Sequence, residues 1–219
     1  MHTRLRALAA LLLSAAAGWA AVQQPPAEAR LPMVGGGLGG TPQGSCAPQV
    51  WPREALRYEI EGTTQLAYRL SPEGRATDAT VARSSGWALL DDASLKALQT
   101  CTFTPRDVAG AQGRLFPIQF VWMLDGARVM PSLVPGSCVA DGVIDGFQPY
   151  DRRPTDAGGV KVRFLVDGNG VPRGVKLEGD PAPALADQVR RHLDTCRFRF
   201  DPASAGMRTD TMNGRVLLR

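Results

Sequence analysis

Between residues 51 and 124 the spacing of apolar positions changes from helical to alternating, back to helical and then to alternating again. Trp51-Pro52-Arg53-Glu54-Ala55-Leu56 predicts a short helix opened by a proline in its first turn, where the missing N–H costs nothing. Glu61 to Leu70 alternates as a strand, Ser71-Pro72-Glu73-Gly74 turns the chain, and Arg75 to Arg83 returns as the second strand of a hairpin. Ser84-Ser85-Gly86 breaks that strand. Leu90, Ala93, Ala97, Leu98 and Cys101 then fall on one helical face. After Pro105 and a polar loop, Leu115 to Leu124 predicts a last strand rich in Phe, Ile, Val and Trp.

From residue 160 all but the first of these steps recur. Val160 to Val166 reads as a strand, Asp167-Gly168-Asn169-Gly170 as its turn and Val171 to Leu177 as the return. Glu178 to Pro183 breaks the pattern. Leu185, Val189, His192, Leu193 and Cys196 form a helix face, and Arg215 to Arg219 a shorter closing strand. Shifted back by 95 residues, the five face positions become Leu90, Ser94, Ala97, Leu98 and Cys101. Two copies of one module are therefore expected, over 46–126 and 127–219. The cysteines agree, with Cys46 and Cys101 spaced by 55 residues and Cys138 and Cys196 by 58. Four cysteines allow three pairings, and the repeat selects Cys46 with Cys101 and Cys138 with Cys196.

The beginning of the chain sets the compartment. Arg4 and Arg6 precede an apolar run from Ala7 to Ala17, with Gly18 and Ala20 placed for a cleavage site, so residues 1–21 read as a secretory signal. The run is short for a membrane span of about 20 residues, although Ala21 and Val22 extend it and keep an uncleaved anchor open. Export to an oxidising compartment suits persistent disulfides. Residues 22–45, with Pro25-Pro26 and the glycine run from Gly35 to Gly40, read as a linker. That run has no Lys-Ser/Thr ending and does not make a phosphate loop. The formal charge of +4 falls to +2 once Arg4 and Arg6 leave with the signal. Basic residues are dispersed, as on a solvated face, and give no nucleic-acid footprint.

The inventory of reactive groups argues against an enzyme. General acid–base and nucleophilic catalysis recruit His, Cys or coupled carboxylates, whereas the mature chain has one His, His192, on a helix stripe, and cysteines that disulfides account for. Asp91 and Asp92 are helix neighbours about 100° apart and read as first-turn charges favouring the helix dipole. Asp167 to Glu178 imitates a calcium loop, but Val171 replaces a ligand and Pro172 the required Gly, so a hairpin is expected and no metal. Trp51, Trp87 and Trp122 read as packing aromatics, with Trp122 the best exception because it lies on the last strand.

The first module resembles the C-terminal domain of the TonB energy-transducer family. The resemblance rests on Trp51 to Leu56, on Glu61-Gly62-Thr63, on Ser71 to Asp78 and on Ser84-Ser85-Gly86. Leu89-Leu90-Asp91-Asp92-Ala93 and Phe103-Thr104-Pro105 complete it. The second module is similar in its Asp167-Gly168-Asn169-Gly170 turn, its helix and Cys196-Arg-Phe198. Its opening motif is lost, with Phe147-Gln148-Pro149 as a remnant. The resemblance implies an α+β fold of two tandem small domains, each with two helices on one face of a roughly three-stranded antiparallel sheet. It also implies a non-catalytic module without cofactors, small-molecule substrate or nucleic acid. Its partner would be an envelope protein, such as the plug or N-terminal segment of an outer-membrane transporter, bound by β-strand addition. The docking strand would be the last of the first module, with Leu115, Phe116, Ile118, Gln119, Phe120, Val121 and Trp122 as partner-binding residues. Pro117 within it fits an edge strand. A full transducer keeps an anchor and a long Pro-rich rod, whereas this linker of about 24 residues reaches at most about 80 Å. A periplasmic adaptor is thus expected ahead of an anchored energy transducer or a structural subunit of an envelope assembly.

Overall fold

The computed structural model describes residues 44–104, 108–109, 111, 113–154, 158–204 and 206–219. The expected signal, the linker up to residue 43 and Pro105 lie outside them. The first half contains β1 (Gly44–Ser45), α1 (Arg53–Arg57), β2 (Gly62–Leu70), β3 (Ala76–Arg83), α2 (Ala88–Gln99), β4 (Thr102–Phe103) and β5 (Phe116–Trp122). The second contains β6 (Ser132–Leu133), β7 (Ile144–Pro149), β8 (Val160–Val166), β9 (Pro172–Leu177), α3 (Pro183–Thr195), β10 (Phe198–Arg199) and β11 (Thr211–Leu218). All named strand pairs are antiparallel, and the fold is α+β.

In the first half the sheet order is β3-β2-β5. Period-two alternation sends Thr64, Leu66, Tyr68 and Leu70 of β2, and Phe116, Ile118, Phe120 and Trp122 of β5, into the core. Trp51 and Ala55 from the first helical segment join Leu90 and Leu98 of α2 in that core. Asp91 does more than the charge–dipole role its position suggests. Its buried carboxylate accepts from the Thr64 hydroxyl and the Ser85 N–H, both at 2.8 Å, and from the Ser84 hydroxyl, which ties β2 and the Ser84-Ser85 turn to α2.

The second half departs from the expected two helices on three strands. Its sheet has four strands in the order β7-β11-β8-β9, and α3 is the α-helix among its described residues. Phe147-Gln148-Pro149 is no helix remnant but part of β7. Phe147 enters the core from the sheet itself, its ring tilted against Phe164 and edge-to-face with Phe198. The closing strand is also longer than expected, running from Thr211 rather than Arg215.

Despite that difference the two hairpins share backbone detail. Gly74 N–H donates to the Ser71 carbonyl and Phe103 N–H to the Gly74 carbonyl; Gly170 and Asp167, then Phe198 and Gly170, repeat both bonds. Gly74 and Gly170 sit at φ of 72° and 77°, and a Cβ at either would strike the Phe carbonyl behind it. A shift of 96 residues carries the β2–β5 register onto β8–β11, pairing Leu66 with Ile118 and Val162 with Gly214. Disulfides join Cys46 to Cys101 and Cys138 to Cys196.

The charges of the second half are not all on a solvated face. Lys161, Arg163 and Arg215 are buried on the side of the β8–β11 sheet that looks away from α3 and towards the first half. Lys161 Nζ lies 4.0 Å over the Trp87 ring and donates to the Gly86 and Arg153 carbonyls. Arg163 pairs with Glu178 and, at 2.8 Å, with Glu54. Tyr58 donates to the Gly174 carbonyl at 2.8 Å. Alternation in β8 had marked which residues share a face, but not that a second sheet face would be covered. Among the described residues no helix is long and apolar enough to cross a membrane.

Candidate functional site

The strand expected to dock a partner is an edge strand, since β5 pairs with β2 on one side and with no strand on the other among the described residues. Its hydrogen-bonding phase follows from two observations. Pro117 stands opposite Ala67 and has no N–H, so that pair cannot be the bonded kind in an antiparallel ladder. Ser71 N–H bonds to the Arg75 carbonyl, so odd-numbered groups of β2 face β3 and even-numbered ones face β5. Phe116, Ile118, Phe120 and Trp122 therefore bond to β2. The outer edge offers the Pro117 carbonyl, the N–H and C=O of Gln119 and Val121, and the Met123 N–H.

The same edge in the second sheet is filled. β7 lies antiparallel along β11, with Arg215 opposite Gln148 and Val216 opposite Phe147. At the positions 96 residues beyond Pro117 and Met123, the Asn213 carbonyl accepts from Tyr150 N–H at 3.0 Å and Arg219 N–H donates to the Val143 carbonyl at 2.9 Å. Gly214 makes this close approach possible, because a Cβ there would meet Phe147 and the Gln148 carbonyl.

Side chains of the expected partner-binding set divide by the pleat. Phe116, Ile118, Phe120 and Trp122 are buried in the core and cannot meet a partner directly. Trp122 in particular is 1% exposed, packs edge-to-face on Trp51 with centroids 5.2 Å apart and donates its indole N–H to Ser94 at 2.9 Å. Leu115 is exposed, and Gln119 and Val121 are half-buried on the outward face of the sheet. Trp51 and Trp87 are core residues as expected.

Beside β5 the outward sheet face opens into a cleft of about 1020 Å³. Gln65, Gln119 and Val121 form part of its floor, Arg83 and Ser84 one end, and residues 148–154 a wall. Sequence reasoning missed this wall, because it is made by a segment that no periodicity singled out. Its carboxylate, Asp151, is pushed up by burial but held more strongly down, at about 2, by hydrogen bonds from Arg153 and the charge of Arg215. Lys161 is brought down to about 8, first by burial and then by Arg215, against the attraction of Asp151, Glu178 and Asp91.

His192, expected at the core edge with one hydrogen bond, is buried, and neither ring nitrogen makes a well-formed bond among the described residues. Burial lowers its pKa, opposed by the Val139 backbone and the charge of Asp141. One of its ring nitrogens and the Cys138 and Cys196 sulfurs lie within 4.8 Å of one another. The two sulfurs are joined as a disulfide, which leaves no thiolate to bind a metal.

Residues 47–122 match the family model described as Gram-negative bacterial TonB protein C-terminal. Over this segment the chain is similar to the TonB C-terminal family. Domains of that family work in the Gram-negative periplasm by binding proteins and catalyse nothing. The match takes in α1, the β2–β3 hairpin, α2 and all of β5, so the open edge lies within the matched segment. No curated protein and no solved structure matches the chain.

Proposed function

We propose that this chain is an exported, non-catalytic protein-binding module of the cell envelope, and that its TonB C-terminal domain takes up an extended segment of a partner as a further strand along β5. The observation that carries this reading is the contrast between the two sheets: among the described residues the outer edge of β5 is open, while the edge of β11 at the same register holds a strand. Main-chain bonds to Gln119 and Val121 supply affinity that tolerates variation in the partner's sequence. Residues 46–126 and 127–219 are on this account two copies of one module, supported by the shared hairpin bonds and the 96-residue register. In the second copy the edge that corresponds to β5 is taken by β7, so the docking strand proposed here is that of the first copy. A cleaved signal over residues 1–21 and a linker over 22–45 deliver the pair to the periplasm, where an outer-membrane transporter segment is the partner class that the family favours.

Site-specific photo-crosslinking in cells tests this. A benzophenone side chain at Leu115 or Val121 is expected to capture an extended segment of one envelope protein, and one at Thr80 on β3 is not. Equal capture from Thr80, or none from β5, contradicts strand addition.

A further inference from the structure

The cleft beside β5 bears on which segments the edge accepts, an inference that rests on the strand-addition reading above. In an added strand every second side chain projects to the outward face of the sheet, the face that Gln119 and Val121 share with the cleft floor. Chain continuing past the Trp122 end of β5 meets the wall of residues 148–154. The charges there are unequal. Both carboxylates lining the cleft are already neutralised, Asp151 by Arg153 at 2.8 Å and Arg215 at 3.2 Å, and Glu61 by Arg128. Arg83 and Arg152 also line it, both are exposed, and neither has a carboxylate partner among the described residues. Serine, threonine and glutamine side chains and Tyr150, whose hydroxyl donates to the Pro131 carbonyl, fill the rest of the polar lining. Such a cleft repels a basic chain and rewards carboxylates.

From this geometry we infer that the cleft selects acidic extended segments: a peptide strand on β5 whose outward-facing or trailing residues are Asp or Glu, set against Arg83 and Arg152. The buried faces of β5 contribute little to this choice, because the core side is filled before any partner arrives. Selectivity is thus electrostatic and lies in the cleft, while affinity lies in the backbone edge.

The test uses the full mature chain and a displayed library of random 12-residue peptides, selected at low salt, with Gln119→Pro and the double variant Arg83→Glu/Arg152→Glu as comparison proteins. Expected are peptides enriched in Asp and Glu over the unselected library, lost on Gln119→Pro, and weakened about tenfold by the arginine reversal, an effect that shrinks at 0.5 M salt. Peptides that need Gln119 but show no acidic bias, or that ignore the arginine reversal, overturn the acidic selection and leave strand addition standing. Peptides indifferent to Gln119→Pro overturn both, and so does a library that yields no binder. Circular dichroism of both variants, expected to match the parent, separates lost recognition from lost fold.

Discussion

Replacing Gln119 by proline separates the two edges of β5 from one another. The Gln119 N–H points to the open edge, so the substitution removes no bond between β2 and β5, and Pro117 already shows that the strand accepts proline in this phase. The cost to the fold is limited to strand preference, about 1 kcal/mol. A bound strand suffers more. It loses one backbone hydrogen bond worth about 1 kcal/mol and leaves a carbonyl unpaired at about 1 to 2 kcal/mol more, while the ring stands in the way of close approach. Together these weaken binding by about 2 to 3 kcal/mol, roughly 30- to 150-fold. Phe120→Pro is the contrasting change: it breaks the pairing with Thr64 and removes a fully buried ring, for about 4 kcal/mol or more of stability. Fluorescence anisotropy with a labelled peptide selected on the parent chain, alongside urea unfolding, reads both quantities. A folded Gln119→Pro protein that keeps its affinity within threefold, or one that unfolds as readily as Phe120→Pro, refutes the reasoning.

Three other outcomes follow from the same structure. Asp91→Ala leaves the Thr64 and Ser84 hydroxyls and the Ser85 N–H without their acceptor, and urea unfolding is expected to show a loss of about 3 kcal/mol. Removing the first disulfide as Cys46→Ser/Cys101→Ser frees a loop closed over a separation of 55 residues, a loss of about 4 kcal/mol in the chain-entropy description, measured the same way in both proteins. The amine of Lys161 titrates near 8 in the fold and near 10.5 when unfolded, so the unfolded chain holds more protons between those values and the folded state gains stability as pH rises from 8 to 10; comparison with Lys161→Met, for which this gain should vanish, isolates it, and a parallel pH dependence in the two proteins contradicts the assignment.

Much of the first half could be read from the chain, and the reasons are local. The hairpin is announced by alternation and by glycine at the turn, α2 by a single apolar stripe, and β5 by its phase around Pro117. The pleat of β5 also determines which partner-binding residues are core, so the burial of Phe116, Phe120 and Trp122 followed from alternation once the helix face was known. What was not legible depends on contacts distant in sequence. Nothing near Ile144 to Pro149 shows that it will pair with residues 211–218, since alternation there is broken by Gly146 and ends in proline. Lys161, Arg163 and Arg215 look like solvent-facing positions of a two-layer module, and only the packing of one half on the other makes them interior. The cleft has the same origin, because its wall and floor come from different halves.

Residue-resolved amide hydrogen exchange on the free chain tests the central claim most directly, that among the described residues β5 keeps an open edge where β11 at the same register is filled. Ile118, Phe120 and Trp122 should exchange slowly and Gln119, Val121 and Met123 quickly, whereas Arg215 and Arg219, at the matching positions of β11, should be as protected as their even-numbered neighbours. Slow exchange at Gln119 and Val121 in the unliganded protein, or fast exchange at Arg215, contradicts it.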